Sequence, residues 1–225
     1  MPETLVSLIP LIIGAAIVPL LVIAAIVLLT SEKHGPLKAI AFVIGMTLVR
    51  LAQGALFGFV FNGGGAADGA EQAGIVKDAL LIVLGLLLLL AGVKKLLKQP
   101  DPDAPPPKWL TALESVPAWG ALALGAGLLL VSAKAWVFTL SAISTIDAAQ
   151  LGRRDSAITF LLFVLLAQSL IIIPIIIRLL LPSRATAWLG FLNAWLEAHN
   201  NQIALAVSFV FGALFLYQGI AGLLA

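Results

Sequence analysis

Residues 130–136 read Leu-Val-Ser-Ala-Lys-Ala-Trp and place Lys134 inside a long apolar run. An ionisable group at bilayer depth costs about 2.5–3.5 kcal/mol on insertion scales, so its presence needs a reason. Arg50 raises the same question near the centre of a second apolar run, with Gln53 one turn later on the same helical face. Ser132 stands two residues before Lys134, and Gln168 sits in the middle of a third run. These side chains can bind an anion. Lysine supplies a point charge, arginine a planar fork for sulfate, phosphate or carboxylate, and the others neutral hydrogen bonds. The inventory at mid-depth is two cations and no carboxylate. A path for a metal cation would want carboxylate and carbonyl oxygens, and a path for a basic amino acid would want an acid. Two buried cations are more tolerable when an anion visits them. Lys134, Arg50, Ser132, Gln53 and Gln168 are therefore the expected substrate-binding residues. A structural reading stands beside this one: Arg50 capping carbonyls of a broken neighbouring helix, and the two glutamines bonding between helices.

Catalysis has little support. No Ser-His-Asp set and no paired carboxylates occur, and Gly63-Gly-Gly65 lacks the Lys-Ser/Thr that completes a phosphate loop. The chain has no cysteine, and its two histidines, His34 and His199, fall in expected loops. No enzyme activity, cofactor, metal or nucleic-acid partner is expected.

The elements that carry these residues follow from composition. Of 225 residues, 61% are hydrophobic and 11% charged, against about 45–50% and about 25% in soluble domains. A multi-pass membrane protein is implied. The first apolar run is too long for a signal-peptide core and lacks a basic leader. A helix needs about 20 apolar residues to cross the hydrocarbon. Six stretches qualify, near 4–30, 37–61, 75–97, 117–146, 156–181 and 202–223. Between the fifth and sixth, Trp188, Phe191, Leu192, Trp195 and Leu196 recur at helical spacing over 186–200, which predicts a short interfacial amphipathic helix.

Connections one, three and five carry Lys33, Lys38, Lys94, Lys95, Lys98, Lys108, Arg178 and Arg184, against Lys77, Arg153 and Arg154 elsewhere. The positive-inside rule then puts both termini outside the cytoplasm, in a plasma (inner) membrane.

The halves resemble one another. Gly85 and Gly92 in the third stretch match Gly212 and Gly219 in the sixth, and Lys38-Ala-Ile-Ala-Phe42 matches Ser156-Ala-Ile-Thr-Phe160. The first and fourth stretches are both interrupted at mid-depth, at Gly14–Pro19 and at Ser132-Ala133-Lys134. Proline at position 19 frees a carbonyl one turn earlier. Gly14, Pro19 and Ala133 are thus the expected helix-break or gating positions. The expected fold is all-α, with six transmembrane helices as two inverted three-helix repeats, 1–98 and 117–225, joined by a proline-rich linker at 99–116. An odd number of spans per repeat inverts the second, a signature of transporters.

The break at Gly14–Pro19, the entry Lys38-Ala-Ile-Ala-Phe-Val-Ile-Gly45, the Ser132-Ala-Lys134 stretch and Leu165-Leu-Ala-Gln-Ser followed by Ile-Ile-Pro174 together resemble the GAP family, the glycolipid- or peptidoglycolipid-addressing membrane proteins, within the lysine exporter superfamily. That family has Asn-Pro-Lys where this chain has Ser132-Ala-Lys134, so the lysine is kept and the helix-breaking proline is not. The resemblance implies export or flipping of an anionic amphiphile towards the cell surface. Two alternatives stay open: efflux of an amino acid or small organic ion, and a non-transporting scaffold of a lipid export complex. A lipid mover expects a groove open to the bilayer; a small-solute exporter expects an aqueous cavity closed to it. Membrane lipids or the amphiphile are the expected partners, with a homodimer or partner export proteins left open.

Overall fold

The structure, a computed structural model, describes residues 2–62, 69–97 and 113–224. Among the described residues it is all-helical: α1 (Pro2–Ala16), α2 (Pro19–Thr30), α3 (Gly35–Asn62), α4 (Gly69–Leu97), α5 (Ala118–Val131), α6 (Ala133–Ala148), α7 (Arg153–Ala167), α8 (Ser169–Leu180) and α9 (Pro182–Leu224), with a 3-10 turn at Leu113–Ser115 before α5. Most of the expected linker at 99–116 lies outside the described residues.

Three helix pairs are sharply bent at a short break. The α1–α2 pair turns by 60°, α5–α6 by 75° and α7–α8 by 65°. Each bend has a local cause. Val18 precedes Pro19, and the proline ring pushes its neighbour out of the helical region; Val18 sits at φ −119, ψ 89, and Pro19 starts α2.

The α5–α6 bend forms without a proline. Ser132 is extended (φ −80, ψ 99), and its Oγ accepts a hydrogen bond from Ala135 N at 3.3 Å. This is a serine N-cap, worth about 0.5–2 kcal/mol. Trp136 Nε1 donates to Leu130 O at 2.7 Å, which covers a carbonyl left over at the end of α5. The bend at Gln168 was not expected. There the backbone N–H turns to Leu165 O and Leu166 O, while the side-chain Nε2 donates to Val164 O at 3.2 Å. The amide side chain thus takes the place of the missing backbone donor.

By length and composition, α3 over Gly35–Gly58 and α9 over Trp188–Leu224 can cross a membrane, and the count reaches five if each bent pair is one span. The chain is a helical membrane protein of several passes. The separate amphipathic helix expected at 186–200 is corrected. The segment is helical but continuous with the sixth stretch, in one 43-residue helix. His199-Asn-Asn-Gln202 is polar but holds no proline or glycine, so nothing stops the helix. Its apolar residues fall on two faces: Leu189 and Leu196 are buried, while Trp188, Phe191 and Trp195 look outward.

Buried side chains form two cores. The first gathers most of α2 with Phe42, Met46, Leu129, Ile171, Leu189 and Leu196. The second gathers Leu8, Leu11, Leu84, Phe138, Phe163 and Phe215 with their neighbours. Every bent span passes from one core to the other at its bend: α1 belongs to the second and α2 to the first, α5 to the first and most of α6 to the second, α7 to the second and α8 to the first. Lipid offers no hydrophobic drive between helices, so small residues that permit close approach matter more. The pairing of α4 with α9 is of that kind: a methyl group at Gly85 would lie 2.9 Å from Gly212 O.

Candidate functional site

The polar residues at depth collect where the two cores meet. Arg50 of α3 is 1% exposed. Its Nη1 donates to Thr139 Oγ1 of α6 at 3.1 Å, and its Cζ lies 5.8 Å from the centre of the Phe163 ring of α7. A guanidinium over a ring face gains a cation–π attraction, but neither contact supplies a counter-charge. Arg50 Nε has no acceptor among the described residues.

Among the described residues, Gln53, one turn along α3, is buried with neither Oε1 nor Nε2 bonded, and the hydroxyls of Thr159 and Ser141 are likewise buried without partners. Each such group costs about 1–3 kcal/mol if left unmet. Several of them on neighbouring helices point to a visitor, water or ligand. Gln168 is satisfied: Nε2 donates to Thr47 Oγ1 of α3 at 3.1 Å as well as to Val164 O. Thr47 and Arg50 are three residues apart on one face of α3, so Gln168 and Arg50 belong to one cluster.

Lys134 goes elsewhere. It is half-buried, and its Nζ donates to Ala204 O of α9 at 3.2 Å. Thr139, Arg50's partner, is five residues further along α6, about 140° around the helix and about 7.5 Å along it. The two cations therefore face different helices. Ser132 caps α6, Ala133 is that helix's first residue, and Pro19 is the first of α2. Gly14 lies before the first bend. A methyl group there would collide with the Phe138 ring, which stands edge-on to Phe211 at 5.2 Å; its place is a packing contact.

Three clefts are prominent. One of ≈ 860 Å³ lies where Pro2 at the start of α1 meets Gly222 near the end of α9, with Asp78 and Tyr217 in its lining. One of ≈ 730 Å³ lies between the α2–α3 turn and the start of α5. The third, ≈ 340 Å³, is a groove between α3, α6 and α7 whose lining is apolar apart from Asp147 and Ser156. None of the three is lined by any of the five expected substrate-binding residues.

Sequence reasoning missed Thr139, Thr47 and Thr159, because hydroxyls are ordinary in membrane helices and carry no signal of their own. It also passed over Asp78, near the start of the third apolar stretch, which is 6% exposed on α4.

A bundle of bent and straight apolar helices that buries a cation with no carboxylate partner among the described residues is a multi-pass membrane protein. The chain belongs to the family described as Sap, sulfolipid-1-addressing protein, whose model matches residues 8–221. No curated protein and no solved structure matches it.

Proposed function

We propose that this chain is a transporter that exports or flips an anionic amphiphile, a glycolipid or peptidoglycolipid, towards the cell surface. Arg50 receives the acidic group, and Gln53, Gln168 and Thr139 surround it. The observation that carries this reading is Arg50 itself: a guanidinium 1% exposed, with a neutral hydroxyl and a ring for company. A buried cation without a carboxylate is stabilised by an anion that visits it. The family description names a sulfolipid, and a sulfo group is an anion of the required sign. The groove beside α3, α6 and α7 has exposed residues on its rim, Leu161 at 48%. That favours a lipid over a small solute held in a closed aqueous cavity.

The reading includes six spans in two inverted repeats, as in the lysine exporter superfamily. The α4–α9 crossing supports it. Gly85 packs on Gly212, Gly92 on Ser208 and Phe209, and Gly219 on Asp78 and Ile82; Phe209 and Ile82 each stand three residues before Gly212 and Gly85. Two further pairings follow the same pattern: α2 packs on α9 as α6 packs on α4, and α3 on α5 as α7 on α1. The bends at Val18 and Ser132 supply flexible points for alternating access. Lys134 lies at the second bend and steers the anion rather than holding it.

The test is complementation. Cells lacking the gene are expected to lose an acidic lipid from their surface. Wild-type protein restores it, and Arg50→Gln does not. Full restoration by Arg50→Gln would sink the proposal.

A further inference from the structure

The groove between α3, α6 and α7 and the surroundings of Arg50 are built from the same three helix faces. On α3, Arg50 is followed at steps of four by Gly54 and Gly58, which line the groove. On α6, Thr139 holds Arg50, and Ile143 and Ile146 line the groove. On α7, the Phe163 ring lies beside Arg50, and Phe160 and Ala157 line the groove. Steps of three and four keep residues on one side of a helix. Anion site and groove are therefore neighbours, separated by one side chain. Phe160 is that partition: its ring stacks on Phe163 at 6.1 Å and 24°, and it fills the space a side chain at Gly54 would need.

We infer that the groove seats one alkyl chain of the anionic amphiphile, entering from the bilayer, while Phe160 gates the way to Arg50; this rests on the reading of Arg50 as the anion site. Charge orients the occupant. Among the described residues that line the groove the one charge is Asp147, eight residues and about 12 Å along α6 from Thr139. An acidic head is repelled at that end and drawn to the Arg50 end. The walls between are aliphatic and aromatic. Gly58 is part of the lining, and a Cβ there would meet no atom of the described residues within 4 Å.

The probe is a long-chain alkyl sulfate with a diazirine at its chain end, photolysed with the full chain in nanodiscs. Labelling is mapped by mass spectrometry, and folding of each variant is checked by thermal unfolding. Wild type is expected to be labelled on the groove faces of α3 and α7. Gly58→Leu, which fills open space, lowers labelling by about tenfold, the effect of a few methylenes losing their wall. Phe160→Ala, which removes the partition, raises it. Arg50→Gln also lowers it. Unchanged labelling in both Gly58→Leu and Phe160→Ala overturns the groove assignment, and if Arg50→Gln still lowers labelling, the anion reading survives alone. Loss in Gly58→Leu with none in Arg50→Gln overturns the anion reading and, with it, the link between groove and head.

Discussion

Arg50 and Lys134 are both cations set in apolar helices, and their surroundings differ in every respect that matters. Arg50 is sealed between two cores, 1% exposed, with one neutral hydroxyl bonded and Nε unmet. Lys134 is half-buried at a bend and is tied to the Ala204 carbonyl of α9, which also accepts from Ser208 Oγ at 2.7 Å. Lys134 has a structural use for its charge: it ties the start of α6, just past the bend, to a carbonyl of the unbroken α9. An arginine among intact helices has no such use. The difference teaches that a charge at depth is diagnostic by what remains unmet around it. On that measure Arg50 is the residue we propose for the anion, and Lys134 is chiefly a tie between α6 and α9.

Substitutions rank the two regions. Arg50→Gln has the largest expected effect: transport of an anionic lipid in proteoliposomes falls by about 10- to 100-fold, the worth of a charge-assisted hydrogen bond of about 1.5–3 kcal/mol. Thr139→Val removes the hydroxyl that aims the guanidinium and keeps the shape; transport is expected to fall by about fivefold, near 1 kcal/mol. Lys134→Ala has the smallest effect on transport, less than about threefold, and shows instead in stability. Loss of one hydrogen bond of about 1 kcal/mol lowers Tm by about 2–4 °C in a chain of this size. The reverse ranking, with Lys134→Ala abolishing transport and Arg50→Gln silent, would invert the comparison.

What could be read beforehand was whatever a single residue type dictates. Pro19 announces its bend because proline restricts its neighbour wherever it occurs. The bend at Ser132 was legible in place but not in cause. Its cap and the Trp136 contact depend on the helix having already turned. The bend at Gln168 was invisible, since glutamine has no backbone preference that breaks a helix, and its amide bond to Thr47 joins residues 121 apart. The same distance in sequence hid Thr139 from Arg50, which are 89 apart. The continuity of α9 was missed because a run of polar residues suggests a loop by composition, although polar side chains alone do not end a helix. Arg50, Gln53 and Gln168 were singled out correctly as buried, because the apolar density around them leaves few places to go.

The most direct test of Arg50 as an anion site without a protein counter-charge is a pair of thermal unfolding curves, with and without a soluble alkyl sulfate. Wild type is expected to gain stability from the anion through mass action. Arg50→Met is expected to be more stable than wild type without it, since replacing buried ionic groups by apolar ones often stabilises by about 1–4 kcal/mol, and to gain nothing when the anion is added. A lower Tm for Arg50→Met, together with an undiminished response to the alkyl sulfate, would contradict the claim.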